Sequence, residues 1–436
     1  MTSPTPACRN SRRASQRSST LSVPRSTSVA STSRSHVTSI STPRPTLLFA
    51  IASDDVSQVR RVLEAGDASP NDQVGPQSAL AFTLMNEQLK QKDKIARTLL
   101  AYGADPSSLD ASEEEGGMGS AIGGLRFAPE LDNLFRYCIA MAKAAHTRQA
   151  AAYIQGSDFR SLTGLRFDLI GQDRALEQLF RVLGMHAQQS TPNPLVMLYC
   201  GPSGSGKSHL ARKFGYLLDV PTHTVNMTTM QSTHDLWQSH SMGPYEEPSK
   251  RTLAEFLIDN EGKRCVVVLD ELEKCENERN LWSLLAPWEL GEFDAGSRHI
   301  DVRKVVWIGT SNIGTDLISE YDVSRVGADA DLPMSRQEYV ELMALLRPRI
   351  SARLGASIMS RVTTVLPFVP FTRAEQFAIA SEVLAGLGKG YSTGQGIIAS
   401  KEAGEKLIEQ ALAEYVPAEG FRSLQRAVST HWLDVF

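Results

Sequence analysis

Gly201-Pro202-Ser203-Gly204-Ser205-Gly206-Lys207-Ser208 constrains this 436-residue chain more than any other stretch. It satisfies G-x-x-x-x-G-K-[ST] at every fixed position. Leu195–Cys200 before it is a short apolar run behind Pro194, which reads as a buried strand. After it, Leu210, Phe214, Leu217 and Leu218 recur at near-helical spacing. A strand, a glycine loop and a helix start make a phosphate cradle, because backbone N–H groups converge on the anion and the helix N-terminus adds partial positive charge. Lys207 then reaches the β- and γ-phosphates of ATP and the Ser208 hydroxyl ligates Mg²⁺.

A second buried run, Cys265–Leu269, ends in Asp270-Glu271. Asp270 is placed to hold Mg²⁺, and Glu271 to orient and deprotonate an attacking water. A third, Val305 to Ser311, ends in Asn312, whose amide can bond that water or the γ-phosphate. The expected fold is α/β: a parallel sheet flanked by helices over 161–368, followed by a helical segment over 369–436, which the family resemblance below implies is a lid. Lid helices are expected at Thr372–Leu387, Lys401–Glu414 and Arg422–Trp432.

These motifs resemble the AAA+ ATPases of the Clp/Hsp100 type. Ile170-Gly171-Gln172, about thirty residues before the loop, is similar to their adenine-flanking box, which implies that Ile170 and Gly171 line the base pocket. Leu269-Asp270-Glu271-Leu272-Glu273-Lys274 resembles the Walker B of the second ring of Hsp100 disaggregases. The resemblance implies sensor 1 at Asn312, an arginine finger at Arg361 with Arg353 as competitor, and sensor 2 at Arg422 in Gly420-Phe421-Arg422. It further implies a homo-hexamer acting on unfolded or aggregated protein. One part departs from the pattern: Ser241-Met242-Gly243-Pro244 stands before Tyr245-Glu246-Glu247, where a threading loop carries an aromatic residue.

Ahead of this module, apolar helical patterns begin at Leu47 and at Ser78 and close at Gly66 and Gly103, 37 residues apart. Over 46–109 this resembles a pair of ankyrin repeats with an insertion around Asn86–Lys92, and implies recruitment of a protein partner. A linker and a helix over Leu131–Tyr153 occupy 110–160. The 1–45 tail, rich in Ser, Thr, Pro and Arg, is expected to be disordered; it fits a mitochondrial transit peptide in part, leaving a cytoplasmic or mitochondrial location open. The ankyrin-plus-module order is similar to the mitochondrial ankyrin-containing disaggregase group of the Hsp100 family.

Residues 1–46 hold seven arginines and no acidic residue, so the net charge of −4 leaves −11 on the rest, a poor surface for nucleic acid. No apolar run approaches the ~18 residues a membrane span needs. Five scattered cysteines without C-x-x-C spacing suggest core packing in a reducing compartment. The rival expectation is a nucleotide-gated scaffold that binds ATP and a partner without threading anything.

Overall fold

The computed structural model describes residues 47–74, 77–109, 133–237, 252–295, 298–326, 333–390 and 401–435. The tail, the linker at 110–132 and the Met242–Tyr245 loop lie outside them.

The chain opens with α1 (Leu47–Ala52) and α2 (Val56–Ala65). A short hairpin of β1 (Gln73–Val74) and β2 (Gln77–Ser78) follows, then α3 (Ala79–Met85) and α4 (Lys92–Ala101). The apolar pattern from Leu47 to Gly66 reads as one helix, but the chain breaks at Asp54, whose φ of 54° lies in the left-handed region. Asp54 repays that strain across the stack: its carboxylate accepts from the backbone N–H groups of Lys90 and Gln91 at 3.0 and 2.9 Å. Asn71 likewise donates to Gly103 O and accepts from Asp105 N–H. These hydrogen bonds, between positions 32 to 37 residues apart, tie the segment around α1 and α2 to the one around α3 and α4.

Leu131–Tyr153 also reads as a single helix. Within the described residues it is two, α5 (Asn133–Lys143) and α6 (Ala145–Ala152). Arg148 donates to the carbonyls of Ala142 and Lys143, satisfying the end of α5 where it stops. Phe135 of α5 joins the core of α1–α4.

The sheet is built from β3 (Leu195–Cys200), β4 (Thr222–Asn226), β5 (Cys265–Asp270), β8 (Val305–Ser311) and β9 (Thr364–Pro367). Its order is β4-β5-β8-β3-β9, parallel throughout. Between β5 and β8 lies a hairpin of β6 (Glu292–Ala295) and β7 (Arg298–Asp301). Strands covered on both faces need continuous apolar runs, which Leu195–Cys200 and Cys265–Leu269 supply. Alternate side chains enter opposite layers. Val196, Leu198, Val267 and Trp307 face α9 (Leu253–Asp259) and α11 (Arg336–Leu354). Met197, Tyr199, Val268 and Ile308 face α7 (Asp173–Ala187) and α8 (Lys207–Leu218). Each such buried side chain contributes about 1.5–3 kcal/mol. Helix α10 (Thr315–Val326) follows β8. Cys200 and Cys265 are buried, and among the described residues no disulfide forms.

Three lid helices follow: α12 (Arg373–Gly390), α13 (Lys401–Ala413) and α14 (Phe421–Val435). Ile379, Leu407, Leu424 and Val428 form their core. Among the described residues, no helix is long and apolar enough to cross a membrane.

Candidate functional site

The three motif strands end at one edge of the sheet. In register, Cys200 lies beside Ser311 and Leu269 beside Gly309, so β8 carries Asn312 between the glycine loop and the Asp270-Glu271 pair. Parallel strands put all their C-terminal ends on one side, which is where ligands of open α/β sheets bind.

Lys207 is buried, and its Nζ donates to Gly201 O and Pro202 O at 2.7 Å and to Asn312 Oδ1 at 3.1 Å. Burial pulls the Lys207 pKa down to about 8, against the upward pull of Cys200, Glu273 and Asp270. An ammonium so enclosed gains strongly from an arriving anion. Ser208 Oγ donates to Asp270 Oδ1 at 2.9 Å, and Thr310 Oγ1 donates to the same oxygen. The two expected Mg²⁺ ligands are therefore adjacent. Among the described residues no three His, Cys, Asp or Glu side chains converge as a metal cage. A hydroxyl plus one carboxylate suits Mg²⁺, which takes its remaining ligands from phosphates and water.

Glu271 holds φ at 57°, an uncommon conformation for a non-glycine residue, and its N–H donates to Thr310 Oγ1 at 3.1 Å. Such strain, on the order of 1–3 kcal/mol, persists where surrounding bonds over-determine it. Thr310 thus orients both carboxylate residues. Glu273 Oε1 accepts from the N–H and the Nδ2 of Asn312, both at 3.0 Å.

The lid closes the other side. Phe421 N–H donates to Gly204 O at 3.0 Å, and Arg422 Nη1 donates to Ser203 Oγ at 3.0 Å. Between loop and lid lies a cavity of about 720 Å³. Leu169, Ile170, Phe371, Ile379 and Tyr216 give it an apolar end, and Lys207, Ser208, Glu271, Asn312 and Arg422 a polar one. That size and division suit a nucleotide, with the base on apolar walls and the phosphates on the loop.

Of the residues singled out from sequence, Ile170, Ser203, Gly204, Gly206, Lys207, Ser208, Glu271, Asn312 and Arg422 line this cavity. Gly201, Pro202 and Asp270 are tied to it through Lys207 and Ser208, and Ser205 is buried with its hydroxyl on Pro202 O. Gly171 stands beside the Glu375 carboxyl instead. Arg361 does not reach the cavity of its own chain; it pairs with Glu289 and donates to Ser357 O. Arg353 Nη2 lies 3.4 Å from Glu273 O.

Sequence reasoning missed Thr310, Glu273 and Gln172. Gln172 clamps Val369 with two hydrogen bonds, 2.8 and 3.1 Å, tying the Ile-Gly-Gln turn to the start of the lid. Thr310 sits as a polar residue near the end of a buried strand, and Glu273 in the turn just after one, which is the signal they offered.

Residues 196–324 match the family described as AAA domain (dynein-related subfamily). The chaperone protein ClpB of Chlamydia pneumoniae is 28% identical over 188 residues, 41% of this chain and 20% of that protein. Heat shock protein hsp98 of Neurospora crassa is 27% identical over 277 residues, 61% of this chain and 28% of that protein. The chain spans only about a fifth to three tenths of the length of such curated relatives. Among solved structures, the S. cerevisiae Hsp104:casein complex in its extended conformation has a TM-score of 0.48 at 18% identity, covering 72% of this chain and 58% of that one. Closed-state Hsp104 with ATPγS and FITC-casein has a TM-score of 0.49 at 16% identity, covering 88% and 64%.

Proposed function

We propose, from a Clp/Hsp100-type AAA+ module in the C-terminal two thirds of the chain, that this protein hydrolyses ATP with Mg²⁺ and uses the cycle to remodel or disaggregate other proteins. The observation that carries the hydrolytic reading is the meeting of Lys207, Ser208, Asp270, Glu271 and Asn312 at one sheet edge under the Arg422 lid. When bound, Mg²⁺ would neutralise developing phosphate charge, held by Ser208 and Asp270. Lys207 and the loop N–H groups hold the phosphates, while Ile170, Phe371 and Ile379 hold the base. Glu271 takes a proton from the attacking water as it adds in line. Arg422 contacts the phosphates from the lid.

Arg361 serves in this reading as a finger toward the next subunit of a homo-hexamer, adding about 10³–10⁵ in rate. Its Glu289 partner parks it until a neighbour's phosphate competes. The polypeptide substrate is supported by the chaperone names of the similar curated proteins. The N-terminal helix pairs are read as ankyrin-like repeats that recruit a partner.

The test is steady-state ATP turnover of the full chain beside Glu271→Gln, with and without casein. Turnover that rises with casein and falls by ~10²-fold or more in Glu271→Gln supports the proposal. Turnover indifferent to casein removes unfolded protein as the general substrate. Nucleotide binding without turnover in the wild type replaces the reading with a nucleotide-gated scaffold.

A further inference from the structure

Glu273 lies two residues beyond the carboxylate assigned to catalysis, in the short turn Leu272–Lys274, and nothing in the hydrolytic reading uses it. Its Oε1 receives two hydrogen bonds, from the N–H and the Nδ2 of Asn312, each at 3.0 Å. On its other side the same amide presents Oδ1 to Lys207 Nζ at 3.1 Å. An ionised carboxylate only accepts hydrogen bonds and an ammonium only donates them. The atom facing Glu273 must therefore be nitrogen and the atom facing Lys207 must be oxygen. The amide orientation, usually a matter of choice between two flips, is fixed here from both sides.

We infer that Glu273 is a positioning residue that locks the Asn312 amide with its carbonyl oxygen toward the phosphate end of the cleft, so that Asn312 accepts a hydrogen bond from the attacking water. This rests on the hydrolytic reading above. Phosphate oxygens accept and do not donate, so Oδ1 has no bond to offer them, whereas water has two hydrogens to give. When Lys207 turns to a phosphate, the lone pairs of Oδ1 are freed within the cavity that Glu271 also lines.

Glu273 is itself well held. Lys274 N–H closes its turn on Glu271 O at 2.9 Å, and Arg353 of α11 reaches its carbonyl. Its Oε2 is buried with no hydrogen-bond partner among the described residues, so both interactions run through a single oxygen. A glutamine can keep that oxygen in place; an alanine cannot.

The experiment compares wild type, Glu273→Ala and Glu273→Gln by kcat and KM for ATP, affinity for a fluorescent ATP analogue, and melting temperature. The expected result is a kcat about 10- to 100-fold lower in Glu273→Ala, since loss of orientation of this size costs up to ~10²-fold. Nucleotide affinity should stay within about threefold, and Glu273→Gln should restore kcat to within about threefold of wild type. An unchanged kcat in Glu273→Ala overturns the inference, as does a parallel fall of affinity and melting temperature that glutamine does not restore. If Glu273→Ala fails to fold, Glu273→Gln decides alone, and a loss above tenfold there overturns the inference because charge, not position, would be the need. A wild type that binds nucleotide without turnover overturns the hydrolytic reading and this inference together. Active wild type with equally active Glu273→Ala overturns this one only.

Discussion

Gly204 carries two duties that a single residue type can meet. Its φ is +70°, and a Cβ there would stand 2.0 Å from Glu419 O of the lid. The loop pattern requires glycine only at the first and sixth positions; at the fourth, both the left-handed φ of the loop and the close lid carbonyl call for it. Gly204→Ala should push the lid off, break the Phe421 N–H to Gly204 O bond and weaken nucleotide binding by tenfold or more. Backbone strain alone would add about 1 kcal/mol. Gly262 separates the two effects, because its φ is +67° and a Cβ there meets nothing within 4 Å. Gly262→Ala should cost similar stability and leave nucleotide affinity intact, as read by titration of a fluorescent nucleotide. Equal affinity in Gly204→Ala and Gly262→Ala would mean that the loop–lid contact does not matter for binding.

At the scale of elements, the lid is joined to its surroundings at the first turn of α12. Glu375 accepts from Thr372 N–H at 2.8 Å and its own N–H donates to Thr372 Oγ1, a reciprocal cap. The residue keeps a partly exposed edge, but its carboxyl end is enclosed, 2.9 Å from where a Cβ on Gly171 would sit. Burial pushes its pKa up to about 7, with Asp173 adding to the rise and Thr372 and Tyr137 of α5 opposing it. The folded state then binds the proton more tightly than the unfolded chain. The Glu375 contribution to stability is fully present below about pH 4.5, is lost progressively as pH rises from there through 7, and is absent above that. Glu375→Gln keeps an acceptor for Thr372 and removes the decline. Its advantage over wild type should grow from pH 5 to pH 8 by on the order of 2 kcal/mol. A pH-independent difference in denaturant midpoint would refute this. None of it was legible in the sequence, which marks Glu375 only as one acid early in a helix. What was legible followed local rules. The β3, β5 and β8 runs announce buried strands, and α13 (Lys401–Ala413) lies within the expected helix Lys401–Glu414. The breaks at Asp54 and Ala144 were hidden because the bonds that make them come from Lys90, Gln91 and Arg148. Arg148 is nearby in sequence but acts through a long side chain, and the other two lie 36 and 37 residues away.

For the whole molecule, the lid is held from two sides. On the inside, Phe421 and Arg422 reach the glycine loop. On the outside, α5 packs along α12, and Arg97 of α4 lies 3.9 Å from Glu382, a residue that also lines the nucleotide cavity. The N-terminal helices therefore rest on a helix that also lines the cavity. A ligand that binds only the closed form stabilises it by RT ln(1 + [L]/Kd), about 2.7 kcal/mol at a hundredfold excess over Kd. Amides that exchange through lid opening should then slow by roughly 100-fold. If α5 moves with α12, its amides slow with those of the lid although α5 touches no nucleotide. Hydrogen exchange of the full chain with and without Mg·ATPγS reads this directly. Arg422→Ala supplies the control, since it loosens the lid from the loop without altering α5 and should abolish protection in both places. Protection confined to α12–α14 would mean that the lid slides beneath the N-terminal helices, and a partner bound to those helices would then have no mechanical route to the nucleotide. Protection in α5 would supply that route, through Tyr137, Gly171 and Glu382, and make recruitment and turnover two readings of one lid position.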